Sequence, residues 1–264
     1  MKVPISQFSI PSFLTALFAL FLVVRGAIAA EEAGAPIIAA PPTGGDAIQM
    51  IIAPPDRIPE VDPIALYGNE MIFDVYRKGL KVGEQSMYFS RNAEGDLFVQ
   101  VRFHLAINVL FITAYTYDYE ASEIWRDNQI VALTAHVDDN GKVAATSARL
   151  DEGVFKIDGP RGTILADSWV FPTNHWHRGQ VESSVLLNTL TGALAHVRVE
   201  RRGIDKVSTG SGGVDAERFS YTGDLHDTDV WYDARGRWVK MRFKAKDGST
   251  IEFACRKCSA VEEG

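Results

Sequence analysis

The amino-acid sequence predicts a mainly β protein: a single curved antiparallel sheet or open half-barrel with one short covering helix. Three observations support this fold class. Apolar and polar residues alternate with a period of two in several segments, turn sequences recur about every ten residues, and helical periodicity is confined to one short stretch. Alternation places apolar side chains on one face of a strand, and closely spaced turns favour antiparallel hairpins.

The first 29 residues have the features of a cleaved export signal. An apolar run at residues 13–24 follows Lys2, and Ala27, Ile28 and Ala29 match the small-x-small pattern of a signal peptidase site. Because a helix needs ~20 apolar residues to cross a bilayer, this run is too short for a typical membrane span. We therefore expect a periplasmic or secreted protein that is not integral to the membrane after processing. A retained N-terminal anchor is the alternative.

A proline-rich tether is expected at residues 30–66, followed by one β domain at residues 67–264. Seven of the eleven prolines lie between Pro36 and Pro63. Proline lacks a backbone donor and favours extended chain, which argues against a packed element. The apolar residues 48–53 leave an edge strand open as an alternative.

Charge argues against nucleic acid as a partner. The chain carries a net charge of −7, and removal of residues 1–29 takes away Lys2 and Arg25 and changes it to −9. Binding to phosphates requires clustered basic residues, which an acidic protein offers poorly.

The strongest alternation lies at residues 97–107 and 239–246. In the second segment Val239, Met241 and Phe243 alternate with Lys240, Arg242, Lys244 and Lys246, which form a cationic outer stripe. This stripe either contacts anionic lipid headgroups or is a solvated sheet face.

Residues 231–238 predict a hairpin with a three-residue loop that ends at Gly236. In that register Tyr232 faces Trp238 and Asp233 faces Arg237. Trp231 is then expected on the same face as Val239 and Met241.

The predicted helix covers residues 180–190. Val181, Val185, Leu186 and Leu190 form an apolar stripe at helical spacing, and Gly192 stands where a C-terminal cap belongs. We expect this helix to lie across one end or one face of the sheet.

Several motifs resemble those of an uncharacterised proteobacterial family of exported proteins, known as a domain of unknown function. The similarity covers about residues 67–255. The motifs are Phe73-x-Val75-Tyr76-x-x-Gly79-x-x-Val82-Gly83, Tyr119-Glu120-Ala121-x-Glu123-x-Trp125-x-Asp127, Gly223-Asp224-Leu225, and Trp231-Tyr232-Asp233-x-x-Gly236-Arg237-Trp238. The Gly-x-x-Val-Gly element is also similar to periplasmic domains with a curved sheet like that of lipoprotein carriers. The resemblance implies a fold and provides no catalytic residues.

The candidate ligand-binding residues lie on one predicted strand: Tyr115, Tyr117, Tyr119, Glu123 and Trp125. On the concave side of a curved sheet they would line a cavity for a lipid-like or other hydrophobic ligand, with polar groups as guides. Ordinary core packing is the alternative. Such a carrier needs a cavity on the order of several hundred Å³.

No catalytic residue is predicted and no cofactor is expected. His175 and His177 are weak candidates for metal ligands, because a zinc site needs three or four ligands and no further ligand lies at suitable spacing. A loop that faces solvent, with Trp176 packed inward, is the preferred interpretation. The acids Asp224, Asp227, Asp229 and Asp233 suit surface and turn positions better than a calcium loop.

Cys255 and Cys258 are the disulfide candidates. Two residues three apart in an extended strand are roughly 10 Å apart, which is too far for a disulfide. Pairing therefore requires the strand to turn at Cys255. A redox-active pair and free or intermolecular thiols are the other possibilities.

The sequence thus favours a non-catalytic periplasmic protein that binds a lipid-like or hydrophobic ligand. A structural or interaction module that contacts an envelope protein, without a small ligand, is the alternative. A metal-dependent hydrolase is a weaker one.

Overall fold

A computed structural model describes residues 48–50, 60–109, 111–167, 169–245 and 247–260. The predicted export signal lies outside the described residues, as does most of the predicted tether. The described residues form one open sheet of sixteen strands that does not close into a barrel. The predicted mainly antiparallel fold is confirmed.

The bounds of the strands are β1 Ile48–Met50, β2 Glu70–Arg77, β3 Leu80–Arg91, β4 Leu97–Val109, β5 Ile112–Arg126, β6 Gln129–Asp139, β7 Lys142–Asp151, β8 Val154–Gly159, β9 Gly162–Asp167, β10 Phe171–Pro172, β11 Val185–Asn188, β12 Ala193–Thr209, β13 Gly212–Gly223, β14 Thr228–Asp233, β15 Trp238–Lys244 and β16 Thr250–Lys257. An α-helix, α1, covers Pro63–Tyr67, and a single 3₁₀ turn covers Arg178–Glu182.

The strand order is β1-β9-β8-β7-β6-β5-β4-β3-β2-β16-β15-β14-β13-β12-β11-β10. All neighbours are antiparallel except the two outermost pairs, β1 with β9 and β10 with β11. Ile48 pairs with Ile164, so residues 48–50 form an edge strand, the alternative considered for this part of the tether.

The sheet curls strongly. The rings of Phe103 on β4 and Phe253 on β16 are 5.4 Å apart, although two strands separate β4 from β16. In a flat sheet such strands would be ~14 Å apart, since neighbouring strands are spaced by ~4.8 Å. The N–H of Gly210, at the end of β12, also donates to the carbonyl of Cys255 on β16. The inner face of the sheet therefore encloses the core.

The chain segment at residues 169–192 lies inside this curve. All four residues of β11 are buried, and Leu186 and Leu187 have no exposed surface. Consecutive burial means that both faces of this strand are covered, unlike a strand with one wet face. The predicted helix over residues 180–190 is wrong, because an apolar run of this length fits a doubly buried strand equally well.

The short helix lies instead at α1, which spans the predicted boundary between the tether and the β domain at residue 67; that boundary stays a prediction. Asp62 caps it by accepting the N–H of Ile64. Its last residue, Tyr67, is completely buried. Helix α1 thus packs against the β domain.

The hairpin of β14 and β15 has the predicted loop. Tyr232 pairs with Trp238, and Gly236 has the positive φ of 80° that favours glycine.

However, a bulge at Val239 shifts the register of this hairpin and pairs Trp231 with Lys240. The expectation that Trp231 shares a face with Val239 and Met241 is therefore wrong. Trp231 lies beneath the cationic groups of Lys240 and Arg242, 5.4 and 5.3 Å from its ring centroid.

Candidate functional site

The inner face of β5 carries the five residues predicted to bind a ligand. All five are buried: Tyr115, Tyr117, Tyr119, Glu123 and Trp125. They occupy alternate positions of the strand, and Ala121, which is also buried, fills the remaining inward position. Tyr119, Glu123 and Trp125 contact the inner segment at residues 169–192, while the Tyr115 hydroxyl donates to Asp139. The structure thus brings the tyrosine-containing strand against the chain's own segment.

Glu123 is the centre of a buried polar network. Its Oε2 accepts the indole N–H groups of Trp125 at 2.7 Å and Trp176 at 3.0 Å, and its Oε1 accepts the side-chain amide of Asn174. Burial raises the pKa of Glu123, and these three hydrogen bonds oppose that rise. A carboxylate held by three N–H donors is a strong attachment point for the inner segment.

His177 completes an aromatic stack in this region. Its ring lies nearly parallel to that of Trp125, with centroids 5.5 Å apart. Its Nδ1 accepts the N–H of Gly179, so its Nε2 carries the proton and donates to Asn128 Oδ1 at 2.9 Å. Burial lowers the pKa of His177 to about 3, which keeps this ring neutral. A Cβ on Gly179 would come within 2.8 Å of the His177 ring, so glycine permits the close approach.

His175 is also buried, with a positive φ of 62°. Burial lowers its pKa to about 4, so this imidazole is neutral as well. The interpretation of residues 175–177 as a loop that faces solvent is therefore wrong, although Trp176 does pack inward. Among the described residues, no group of three or more His, Cys, Asp or Glu is arranged to hold a metal ion.

Three tyrosine hydroxyls hold the backbone and side chains of the inner segment. Tyr67 donates to the carbonyl of Trp176 at 2.9 Å, and Tyr232 donates to the carbonyl of His175 at 2.8 Å. The Tyr119 hydroxyl lies 3.0 Å from Asn174 Oδ1 and 2.8 Å from Thr189 Oγ1. Buried carbonyls need such partners, so these contacts fix the segment in place.

A small cavity remains between the sheet and the inner segment. Its volume is about 80 Å³, and Tyr117 and Tyr119 line it together with Phe103, Leu225 and Met241. This volume is far below the several hundred Å³ expected for a lipid carrier, and that expectation is wrong for this interior. The side chains of residues 171–190 fill the space instead.

Charged groups on the outside are mostly paired. On the predicted cationic stripe, Lys240 lies 2.9 Å from Glu252 and Arg242 lies 2.7 Å from Asp229; Lys246 is outside the described residues. In the acidic group, Asp233 pairs with Arg237. These partners offset the charges of Lys240, Arg242 and Asp233, while Lys244 bonds to the hydroxyl of Thr250.

Cys255 and Cys258 form a disulfide, with Cα atoms 5.9 Å apart. Strand β16 does not end at Cys255, as the sequence argument required. A bulge between Cys255 and Lys257 turns the strand within its pairing with β2. The bulge brings the two cysteines together.

Sequence reasoning missed several residues of this network. Four residues each supply a hydrogen bond to it but belong to no recognisable motif: Asn174, Thr189, Tyr67 and Asn128. The position of Asn174 next to two buried histidines was the available indication. Their partners lie 49 to 109 residues away in the chain, so no local pattern connects them.

A family model and a solved structure both match this chain. A family model described as "Domain of unknown function (DUF6134)" matches residues 73–256. A search of curated proteins found no significant match. Among solved structures, the chain is similar to the crystal structure of a beta-barrel-like protein of domain of unknown function DUF1849 from Brucella abortus, with 15% identity and a TM-score of 0.52. The match covers 73% of this chain and 97% of that one and shows a shared fold.

No helix within the described ranges has both the length and the apolar character needed to cross a membrane.

Proposed function

This chain belongs to the DUF6134 family, and we propose that it is a non-catalytic protein of the bacterial envelope that works through its outer surface. In this proposal the signal at residues 1–29 exports it to the periplasm, and its interior binds no lipid. One observation carries the proposal: the chain's own residues 169–192 occupy the inside of the curved sheet.

The polar contacts of the inner segment argue against easy displacement by a ligand. Removing it would take two of the three N–H donors from the Glu123 carboxylate, and would take the carbonyl acceptors from the hydroxyls of Tyr67 and Tyr232. Each unsatisfied buried polar group costs about 1–3 kcal/mol, more for a charged one. A lipid, which offers few hydrogen-bond donors along its tail, would not replace these bonds.

Native mass spectrometry tests this proposal. The full chain, expressed with its own signal and purified without detergent, is expected to have the mass of the polypeptide from residue 30 with one disulfide. Treatment with chelator should leave its mass and its Tm unchanged. A stoichiometric lipid adduct would contradict the surface role, and an N-terminus at Met1 would contradict export by a cleaved signal.

A small apolar ligand in the remaining cavity is a second candidate. The aromatic and apolar lining, with Tyr117 and Tyr119, favours it. The volume of about 80 Å³ is below that of an engineered cavity of about 150 Å³ known to bind benzene. Benzene itself is therefore the probe: the surface proposal expects no rise in Tm with benzene. A rise that Met241→Trp abolishes, by filling the cavity, would favour the second candidate.

A further inference from the structure

The hairpin of β4 and β5 extends past the neighbouring strand β6 at one end of the sheet. These two strands remain paired as far as Val109 with Ile112. In contrast, β4 pairs with β3 only as far as Leu105, and β5 pairs with β6 only as far as Tyr117. Strand β3 itself continues three residues past Gly83, to Leu80, whereas β6 ends at Asp139. Five residues of β5 therefore extend past the end of β6, which corresponds to ~16 Å at ~3.3 Å for each residue.

The tip of this hairpin is apolar and uncharged. Phe111 is fully exposed and Ile112 is 71% exposed. No charged residue occurs between residues 106 and 114. A single exposed apolar side chain is ordinary, but two at the end of a projecting hairpin mark an interaction site.

The neighbouring turn at the same end of the sheet adds a positive charge. Strands β2 and β4 are both antiparallel to β3, so the turn after β2 lies at the same end as the turn after β4. This turn exposes Leu80 and Lys78, and Lys78 makes no ion pair with any described residue. The turn after β6, also at this end, exposes Val143 and Lys142.

We propose that the β4–β5 tip inserts Phe111 and Ile112 into a phospholipid bilayer, with Lys78 beside anionic headgroups. Two exposed apolar side chains are far fewer than the ~20–30 residues that each partner contributes to a typical protein interface. Apolar side chains flanked by lysines instead match the boundary between headgroups and acyl chains. The inference builds on the proposed function, because it names the partner of the outer surface.

Vesicle flotation tests the inference with purified processed protein. Vesicles of phosphatidylcholine with phosphatidylglycerol are expected to carry the protein, and pure phosphatidylcholine to carry several-fold less. Phe111→Asp with Ile112→Asp should weaken binding by about tenfold or more. Ile204→Asp is the matched control, because Ile204 is equally exposed but lies on β12, near Gly236 at the opposite end. Binding that survives the double substitution, or is lost equally with Ile204→Asp, overturns the inference.

A labelled cysteine provides a second measurement that does not depend on total binding. Both native cysteines are in a disulfide, so Phe111→Cys introduces a single reactive thiol. An environment-sensitive dye at position 111 should shift to shorter wavelength with anionic vesicles, and the same dye at Ile204→Cys should not. This comparison separates the tip from any contribution of the apolar residues 13–24. Equal spectra at the two positions, or capture of an envelope protein without any vesicle binding, would reject insertion; neither result bears on whether the interior holds a lipid.

Discussion

The carboxylate of Glu123 accepts the indole N–H of Trp176 at 3.0 Å, although 53 residues separate the two in the chain. Glu123 belongs to the rolled sheet, and Trp176 belongs to the segment that fills it. This hydrogen bond therefore links the sheet to the inner segment at residues 169–192, and the donor to the Glu123 carboxylate is a neutral indole. The carboxylate also accepts the N–H groups of Trp125 and Asn174, and the three donors together stabilise its buried negative charge.

The first prediction concerns the charge of Glu123. Glu123→Gln is expected to change the free energy of unfolding by less than about 1.5 kcal/mol at pH 7. The amide oxygen can still accept both indole groups, and a rotated Asn174 amide can accept from the new NH₂ group. Glu123→Ala should cost about 3–5 kcal/mol, because two buried indole donors lose their acceptor. Urea unfolding measures both, and equal losses would contradict the network.

The second prediction concerns acid sensitivity. His175 and His177 have pKa values lowered to about 4 and about 3 by burial, against 6.5 in the unfolded chain. The unfolded state therefore binds more protons below pH 6.5, and stability should fall as the pH falls from 6.5 towards 4. Each histidine contributes up to about 1.4 kcal/mol for each pH unit. Glu123 has the opposite sign, since its raised pKa favours the folded state as it becomes protonated.

Substitution of one histidine separates these effects. His177→Gln should lower stability at pH 7 but flatten its dependence on pH between 6.5 and 5, measured by urea unfolding at several pH values. His136→Gln, at an exposed position of β6, controls for the loss of an imidazole. An unchanged slope in the His177→Gln variant would show that this ring is not kept neutral by burial.

The third prediction concerns the attachment of α1 to the β domain. The Tyr67 hydroxyl donates to the carbonyl of Trp176 and accepts the backbone N–H of Trp238. Tyr67→Phe should cost about 1–3 kcal/mol, because both buried backbone groups lose a partner. Tyr88→Phe, a more exposed change on β3, should cost less than about 0.5 kcal/mol.

A truncated chain tests the same contact. A chain that begins at residue 68 should be less stable than one that begins at residue 60, in a comparison of Tm values. Equal Tm values would show that α1 and the Tyr67 hydroxyl do not stabilise the β domain.

The fourth prediction concerns the disulfide of Cys255 and Cys258. Both cysteines are buried, and the bond closes a loop of only four residues. Cys255→Ala with Cys258→Ala should therefore cost on the order of 2 kcal/mol in the chain-entropy estimate. Reductant should lower the Tm of the native protein to about that of the double variant and leave the Tm of the double variant unchanged. A native protein unaffected by reductant would contradict a structural disulfide.

Local patterns in the sequence predicted much of the sheet. The alternation around Val101 and Met241 identified the inward faces of β4 and β15, because side chains of a strand point to opposite faces in turn. The loop ending at Gly236 was predictable, because few turns join two strands over three residues. The burial of all five residues predicted on β5 followed from the same alternation.

The sequence by itself determined that strands form, which face of most of them is apolar, and where several turns occur. Only the tertiary structure decided that residues 185–188 are a strand buried on both faces, and that a bulge at Val239 pairs Trp231 with Lys240. It also decided that Glu123 meets Trp176 and Asn174. Periodicity reports one residue's relation to its neighbours along the chain. The filling of a curled sheet depends on contacts between distant segments, which compete for the same interior volume.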